Sequence, residues 1–110
     1  MGKTVISDDD RFEWDEKKDR INEAKHGFSF VEALRLFDDP YLLELYDDEH
    51  ATVEEERYIG IGNLRGMLIL AAGYTERGKR TRIYSARKAT DKEERIYYEK
   101  VQEFNSGKNS

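Results

Sequence analysis

The residues best suited to do chemistry in this sequence lie in the basic segment from Arg77 to Lys88, RGKRTRIYSARK. Six of its twelve residues are Lys or Arg, and none is acidic. Arginine suits phosphate because its planar guanidinium donates paired hydrogen bonds and keeps its charge at neutral pH. The pattern predicts a strand, and the side chains that would line a groove are Arg82 and Tyr84 on one face of it and Arg87 and Lys88 at its end. We therefore expect a cationic groove for a phosphate backbone; the alternative is a solvated edge strand whose charges prevent aggregation.

The chain has two histidines, the residue type that gains and loses a proton near neutral pH. His26, in Lys25-His26-Gly27, is suited to exchange a proton with a ribose 2′-hydroxyl or a leaving oxygen. The alternative is that it interacts with the dipole in the last turn of a helix. His50 ends the acidic run Asp47-Asp48-Glu49-His50, which lacks the spacing of a calcium-binding loop. A solvated acidic loop is the favoured interpretation of that run.

Three glutamates directly precede Arg57, and any one of Glu54, Glu55 and Glu56 could supply a general base or orient the arginine. The sequence has no cysteine, which excludes disulfides and thiolate metal sites. It also has no phosphate-binding glycine loop of the known kinds. Ser85 lacks a histidine and an aspartate at motif spacing. These absences leave phosphate chemistry without a metal or cofactor, or binding alone.

Composition supports a single folded domain with an uneven charge distribution. The net charge is −5 over 110 residues, but residues 1–56 carry 18 acidic and 7 basic side chains, whereas residues 57–110 carry 6 and 12. The thirteen aromatic residues make global disorder improbable. The first ten residues lack the apolar core and cleavage site of a signal peptide, so we expect a cytoplasmic protein.

Local signals predict the elements that position these residues. A flexible lead-in over residues 1–10 precedes a single domain over 11–105, and a disordered tail covers 106–110. Asp15 is expected to cap a first helix that ends at Gly27, with Trp14, Ile21 and Ala24 as its apolar stripe. Two capping boxes predict two more helices, one from Ser29 and Glu32 to about Leu36, the other from Thr90 and Glu93 to about Phe104.

Between the second and third helices, the pattern predicts four strands, over Tyr41–Tyr46, Arg57–Ile61, Met67–Thr75 and Arg80–Ala86. The connections after the second and third strands are short turns, which join antiparallel neighbours. On the last strand, alternation places Arg80, Arg82 and Tyr84 on one face and Thr81, Ile83 and Ser85 on the other. The expected fold is α+β: a small four-stranded antiparallel meander sheet with two N-terminal helices and one C-terminal helix, all on one face.

Seven short motifs follow one another in a recognisable order. They are Phe12-Glu13-Trp14-Asp15, Asn22 ahead of Lys25-His26-Gly27, Phe30 with Glu32-Ala33, Phe37-Asp38-Asp39-Pro40, Glu56-Arg57-Tyr58-Ile59-Gly60-Ile61-Gly62, Thr75-Glu76-Arg77-Gly78, and the run from Arg82 to Thr90. From Phe12 to about Glu99 the chain resembles the BrnT-type toxins of bacterial type II toxin–antitoxin systems. The resemblance implies a RelE-like ribonuclease fold and a toxin that cleaves RNA, inhibits translation and arrests growth.

The resemblance also implies a partner. In that family a BrnA-type antitoxin, which carries a ribbon-helix-helix DNA-binding region, neutralises the toxin. The expected complex holds two toxins and two antitoxins, and it reaches operator DNA only through the antitoxin. An antitoxin that neutralises the enzyme must cover its basic cleft.

Combining the residues with the resemblance gives the site we expect. The catalytic candidates are Lys25, His26, Arg57, Arg82 and Arg87; the RNA-binding candidates are Arg77, Arg80, Tyr84 and Lys88; no metal ligands are expected. The reaction would be metal-free transesterification or hydrolysis of an RNA phosphodiester, with arginines stabilising charge on the phosphate oxygens. Two alternatives remain: a non-catalytic nucleic-acid-binding module, and a protein that uses the same basic strand only to dock its antitoxin.

Overall fold

A computed structural model describes residues 2–64, 66 and 68–108 of the chain. Its six strands are β1 (Thr4–Ile6), β2 (Phe12–Asp15), β3 (Leu43–Tyr46), β4 (Tyr58–Asn63), β5 (Ile69–Arg77) and β6 (Arg80–Lys88). Its α-helices are α1 (Glu16–His26), α2 (Phe30–Ala33) and α3 (Asp91–Lys108), and a 3₁₀ helix (Leu34–Asp38) continues α2. In the part of the chain that the structure describes, no helix combines the length and the apolar character needed to cross a membrane.

The strands form one mixed sheet in the order β1-β2-β6-β5-β4-β3. The antiparallel meander predicted from the sequence is confirmed as β3-β4-β5-β6. The prediction of only four strands is wrong, because β2 pairs in parallel with β6 and β1 pairs antiparallel with β2. Trp14 was expected to contribute to the apolar stripe of the first helix, but it lies in β2 with Phe12, and each of these side chains is 4% exposed. Their partner strand begins more than sixty residues later, so no local pattern reveals the pairing.

The secondary structure at both ends of the chain differs from what the sequence predicted. Within residues 1–10, expected to be a flexible lead-in, Thr4–Ile6 forms β1 at one edge of the sheet. In the tail 106–110, expected to be disordered, α3 continues to Lys108, and residues 109 and 110 lie outside the described range. The helix extends past Phe104 because that ring packs edge-on against Tyr41, with centroids 5.3 Å apart.

Helices cover both faces of the sheet, which corrects the prediction that they share one face. On β5, Leu70 and Ala72 join the core beneath α2 and the 3₁₀ helix. Their neighbours Ile69 and Ala71 point the opposite way and pack with Tyr97 of α3. Successive side chains of a strand alternate between faces, so a strand buried along most of its length needs cover on both.

The predicted ends of α1 are confirmed, but its predicted apolar stripe is wrong. The side chain of Asp15 accepts a hydrogen bond from the backbone N–H of Lys18 at 3.0 Å, and Gly27 ends the helix with φ of 84°. Ile21 is 57% exposed, and the one buried residue of α1 is Asn22. This helix is attached to the sheet by hydrogen bonds, since its single buried side chain is an amide.

Hydrogen bonds from the side chain of Asn22 take the place of strand pairing near the end of β6. Pairing of β2 with β6 stops at Ile83, where the chain of β2 turns into α1. Beyond that point, Asn22 Oδ1 accepts from the backbone N–H of Ala86 at 3.0 Å, and its Nδ2 donates to the Ala86 carbonyl at 2.8 Å. The same amide nitrogen donates to the Phe28 carbonyl at 3.0 Å. These contacts fix the end of β6 against α1.

Asn22→Ala is expected to lower the free energy of unfolding by about 2–4 kcal/mol, because it leaves the buried N–H and C=O of Ala86 without partners. Urea denaturation measures the change. Glu23→Ala, on the exposed neighbour, is the control and should change stability by less than about 0.5 kcal/mol. Equal stability of the two variants would contradict the role given to Asn22.

Candidate active site

A bulge in β6 creates the main cavity on the α3 side of the sheet. Gly73 of β5 pairs with Ser85, and the next residue, Tyr74, pairs with Ile83, so Tyr84 is the extra residue. A bulge interrupts the alternation of a strand. Ser85, expected on the face opposite Tyr84, therefore lines the same cavity as Tyr84. The cavity has a volume of about 280 Å³, and its lining residues are Asp47, His50, Arg57, Ile59, Ala71, Gly73, Tyr84, Ser85 and Arg87.

Gly73 lets the ring of Tyr84 lie close to the sheet. A Cβ atom at this position would lie 2.7 Å from Cε2 of Tyr84, closer than real Cβ atoms approach. The hydroxyl of Ser85 accepts a hydrogen bond from the Gly73 N–H at 3.1 Å. The glycine and the bulge together direct the Tyr84 ring into the cavity.

An Asp–His pair forms one side of the cavity. Nδ1 of His50 lies 2.8 Å from Oδ2 of Asp47. Asp47 is 8% exposed, whereas the His50 side chain is 62% exposed. A carboxylate in its ionised form only accepts hydrogen bonds, so it pairs with an Nδ1 that carries a proton, and in the neutral imidazole Nε2 is then the nitrogen that can accept a proton from a substrate. This arrangement suits a general base.

Arg57 lines the cavity and lies over the ring of Tyr84. Its guanidinium carbon is 4.2 Å from the centroid of the Tyr84 ring. Oε1 of Glu55 accepts from its Nε at 3.0 Å, which identifies Glu55 as the neighbouring glutamate that orients the arginine. Oε2 of Glu55 accepts from Arg77 at 2.6 Å. Hydrogen bonds from Arg77 and then Arg57 outweigh the effect of desolvation and lower the pKa of Glu55, so it stays ionised at neutral pH.

Arg87 borders the cavity where β6 approaches the start of α3. Its two terminal nitrogens donate to the two carboxylate oxygens of Glu93 at 2.7 and 3.0 Å. The predicted capping box is confirmed, since Glu93 also accepts from the Thr90 N–H at 2.9 Å and its own N–H donates to the Thr90 hydroxyl. One carboxylate therefore caps α3 and holds Arg87. The hydrogen bonds to Glu93 raise the pKa of Arg87, which secures its charge.

Tyr84 is a hydrogen-bond donor at neutral pH. Burial raises the pKa of its phenol, and the opposing effect of Arg57 does not cancel the increase. Its hydroxyl lies 3.5 Å from Oδ2 of Asp47. The cavity thus offers a proton acceptor at His50, a neutral donor at Tyr84, and permanent positive charge at Arg57 and Arg87. This combination suits proton abstraction next to an anionic group such as a phosphodiester.

The structure brings together only some of the site residues expected from the sequence. Arg57, Tyr84 and Arg87 line the main cavity. Lys25 and His26 lie at a shallower depression of about 210 Å³ that shares Tyr84 with it. Lys88 is exposed at the end of β6. Tyr84 lines both depressions.

The other three basic candidates are engaged by acidic residues away from the main cavity. Nη1 of Arg82 lies 2.5 Å from Oε2 of Glu13 in the neighbouring strand β2. Arg80 donates to Asp10 at 2.6 Å, and Arg77 contacts Glu55 as described above. The sequence suggested an acid-free basic surface because the residues nearest in sequence are basic. The pairing of β2 with β6 brings Glu13 and Asp10 to Arg82 and Arg80, and the loop before β4 brings Glu55 to Arg77.

Sequence reasoning missed Asp47 and His50, interpreting their segment as a solvated loop. One feature of the sequence could have indicated this pair: Asp47 directly follows the alternating strand β3 and lies three residues ahead of His50. The backbone N–H of Asp47 donates to the Arg57 carbonyl at 2.8 Å, so the two ends of the acidic loop are held together beside β6. Asp47, Glu49 and His50 offer ligand atoms within 4.8 Å of one another, a set whose oxygen and imidazole donors also suit a divalent cation.

Comparisons with known proteins identify the family and the fold. Residues 14–93 match the family model described as the ribonuclease toxin, BrnT, of a type II toxin–antitoxin system. The fold is similar to the crystal structure of the Brucella abortus ribonuclease toxin, BrnT, with a TM-score of 0.56 and 26% sequence identity. That similarity covers 71% of this chain and 94% of the Brucella chain. No curated protein matches the sequence. Because the family model spans most of the chain and includes β6 and every residue lining the main cavity, this chain belongs to the BrnT ribonuclease toxin family of type II toxin–antitoxin systems.

Proposed function

We propose that this chain is a metal-independent endoribonuclease whose active site is the main cavity beside Tyr84. The observation that carries the proposal is a single cavity that joins the Asp47–His50 pair to Arg57 and Arg87. Membership of a ribonuclease toxin family supports RNA as the substrate.

The proposed reaction is a transesterification. Nε2 of His50 takes the proton of the ribose 2′-hydroxyl, and the 2′-oxygen forms a bond to the adjacent phosphorus. The bond from phosphorus to the 5′-oxygen breaks, and this oxygen takes a proton from solvent. The products are a 2′,3′-cyclic phosphate and a 5′-hydroxyl end. Arg57 and Arg87 stabilise the negative charge that grows on the non-bridging oxygens, and Tyr84 donates a hydrogen bond to them.

Lys25 and His26 are proposed to bind the RNA strand on the other side of Tyr84. Both are exposed on the last turn of α1 and border the shallower depression. Arg80, Arg82 and Lys88 lie along β6, and Arg77 ends β5 beside it. A contribution of Arg77, Arg80 and Lys88 to RNA binding and a catalytic role of Arg82 stay predictions of the sequence. The acidic partners of the three arginines reduce the positive electrostatic potential along this surface. We therefore propose that the reaction takes place in the main cavity, which contains His50.

A type II toxin has a cognate antitoxin. We propose that this antitoxin is of the BrnA type, with a ribbon-helix-helix region that provides the contact with operator DNA, and that two toxins assemble with two antitoxins in the cytoplasm. The relation of the fold to RelE-like ribonucleases belongs to the same proposal. Arrest of growth on induced expression, relieved by co-expression of the neighbouring antitoxin gene, would support this biological role.

The first test is incubation of the purified chain with a defined RNA in excess EDTA. Cleavage at an undiminished rate, leaving a 2′,3′-cyclic phosphate, is expected because the proposed reaction uses only protein groups. Loss of cleavage in EDTA and its recovery with Mn²⁺ or Mg²⁺ would instead place a cation at Asp47, Glu49 and His50. Salt-sensitive binding of RNA that stays intact under both conditions would favour the non-catalytic nucleic-acid-binding module.

A further inference from the structure

A second cavity lies on the sheet face opposite the candidate active site. Its volume is about 420 Å³, and it is lined by Glu44, Tyr46, Tyr58, Tyr74 and Glu76. Leu45 and Ile59 pack toward α3, so their chain neighbours in β3 and β4 point to the other face. The ribonuclease proposal uses none of the five lining residues.

Three tyrosine rings form the walls of this cavity. The rings of Tyr58 and Tyr74 are stacked with centroids 5.6 Å apart and an interplanar angle of 25°. Tyr46 meets Tyr58 edge-on at 5.8 Å. Tyr74 is 2% exposed and rigidly held, whereas Tyr46 is 51% exposed at the rim. The aromatic wall is therefore anchored in the core on one side and open to a partner on the other.

Three carboxylates surround these rings without a cation to balance them. Glu44 accepts a hydrogen bond from the hydroxyl of Tyr74, and Glu56 accepts one from Tyr58 at 2.5 Å. Glu76 accepts from the Thr81 hydroxyl at 3.1 Å. Among the residues that the structure describes, no Lys, Arg or His lies within ion-pair distance of these three carboxylates. Hydrogen bonding to Glu56 raises the pKa of Tyr58, and burial followed by the bond to Glu44 raises that of Tyr74, so both phenols stay neutral.

We propose that this cavity binds an arginine side chain of a partner protein. Aromatic faces beside uncompensated carboxylates attract a cation, and the flat guanidinium of arginine both stacks on rings and donates to carboxylates in pairs. The partner is a protein because β3, which carries Glu44 and Tyr46, is the terminal strand of the sheet. An extended basic segment can lie along this edge, which no described strand pairs, and place its arginine in the cavity against the tyrosine rings.

This inference is independent of the ribonuclease proposal. It also assigns the two charged faces of the molecule to different ligands. The active-site face offers arginines to an anionic RNA, and the tyrosine face offers carboxylates to a cationic protein segment.

The test is an NMR titration of the full 110-residue chain with an N-acetylated pentapeptide amide that carries one central arginine. Backbone amides of Tyr46, Tyr58 and Glu76 are expected to shift with increasing peptide. The same peptide with citrulline, which has nearly the same shape but no charge, should bind about tenfold more weakly. The proposal would be overturned by any of three results: shifts of equal size with both peptides, shifts confined to residues of the main cavity, or no shifts at all.

Two variants and a matched control complete the experiment. Glu76→Gln keeps the shape of the side chain and its acceptor for Thr81 but removes the charge, and Tyr46→Ala removes the outer wall. Each should weaken binding of the arginine peptide, whereas Glu94→Gln on α3, which removes the same charge elsewhere, should not. RNA cleavage is measured on all of them and should be unchanged. Peptide binding without RNA cleavage would refute only the ribonuclease proposal, and cleavage without binding would refute only this one.

Discussion

Replacing Arg57 with alanine is expected to lower the rate constant of RNA cleavage at saturating substrate by about 10²–10³-fold. Arg57 lines the main cavity, and its guanidinium has two partners, the Tyr84 ring at 4.2 Å and Glu55 at 2.8 Å. A cation that is already in place stabilises the transition state without the cost of reorganising at the moment of reaction. The loss should therefore appear in the rate constant more than in RNA affinity.

The Arg57→Ala variant is expected to fold, because Glu55 keeps Arg77 as a partner when Arg57 is removed. Arg57→Lys keeps the charge but loses the paired donors and the flat stacking surface, so its rate should fall between wild type and Arg57→Ala. Arg20→Ala removes the same charge from an exposed position on α1 and controls for a general loss of attraction to RNA. A decrease of less than tenfold for Arg57→Ala, or an equal decrease for Arg20→Ala, would show that the electrostatic mechanism is wrong.

His50→Ala is expected to lower the same rate constant by about 10²–10⁴-fold, because it removes the proposed general base. The side chain is 62% exposed, so its loss leaves the fold intact. Asp47 keeps its contact with Tyr84 and its backbone hydrogen bond to Arg57 in the variant. Single-turnover cleavage at saturating RNA separates this chemical effect from binding.

His26→Ala is the matched comparison, since the sequence favoured His26 as the catalytic histidine and the structure places it outside the main cavity. Removal of His26 should raise the RNA concentration needed for half-maximal rate and leave the maximal rate nearly unchanged. The opposite pattern, with a large loss of maximal rate for His26→Ala and little effect for His50→Ala, would move the general base to α1. Retention of full activity by both variants would exclude histidine as the base.

The features that the sequence determined by itself are those set by neighbouring residues. Asp15 and Gly27 mark the ends of α1 because capping depends on a side chain three residues from its partner and on a left-handed glycine. The two capping boxes, Ser29 with Glu32 and Thr90 with Glu93, could be predicted for the same reason, since each joins residues that are three positions apart. The antiparallel meander needed only short turns between apolar strands. The ordered motifs were sufficient to predict the family.

The features that only the tertiary structure decided depend on contacts between distant parts of the chain. The parallel pairing of β2 with β6 joins residues about seventy positions apart, and it places Glu13 beside Arg82, a cation that the sequence assigned to the active site. The extra residue in β6 at Tyr84 exists only relative to the register of β5. His50 enters the cavity because the acidic loop folds back to Arg57. Charge, register and loop closure are set by neighbours in space, so local patterns revealed the basic strand but not the Asp47–His50 pair that shares a cavity with it.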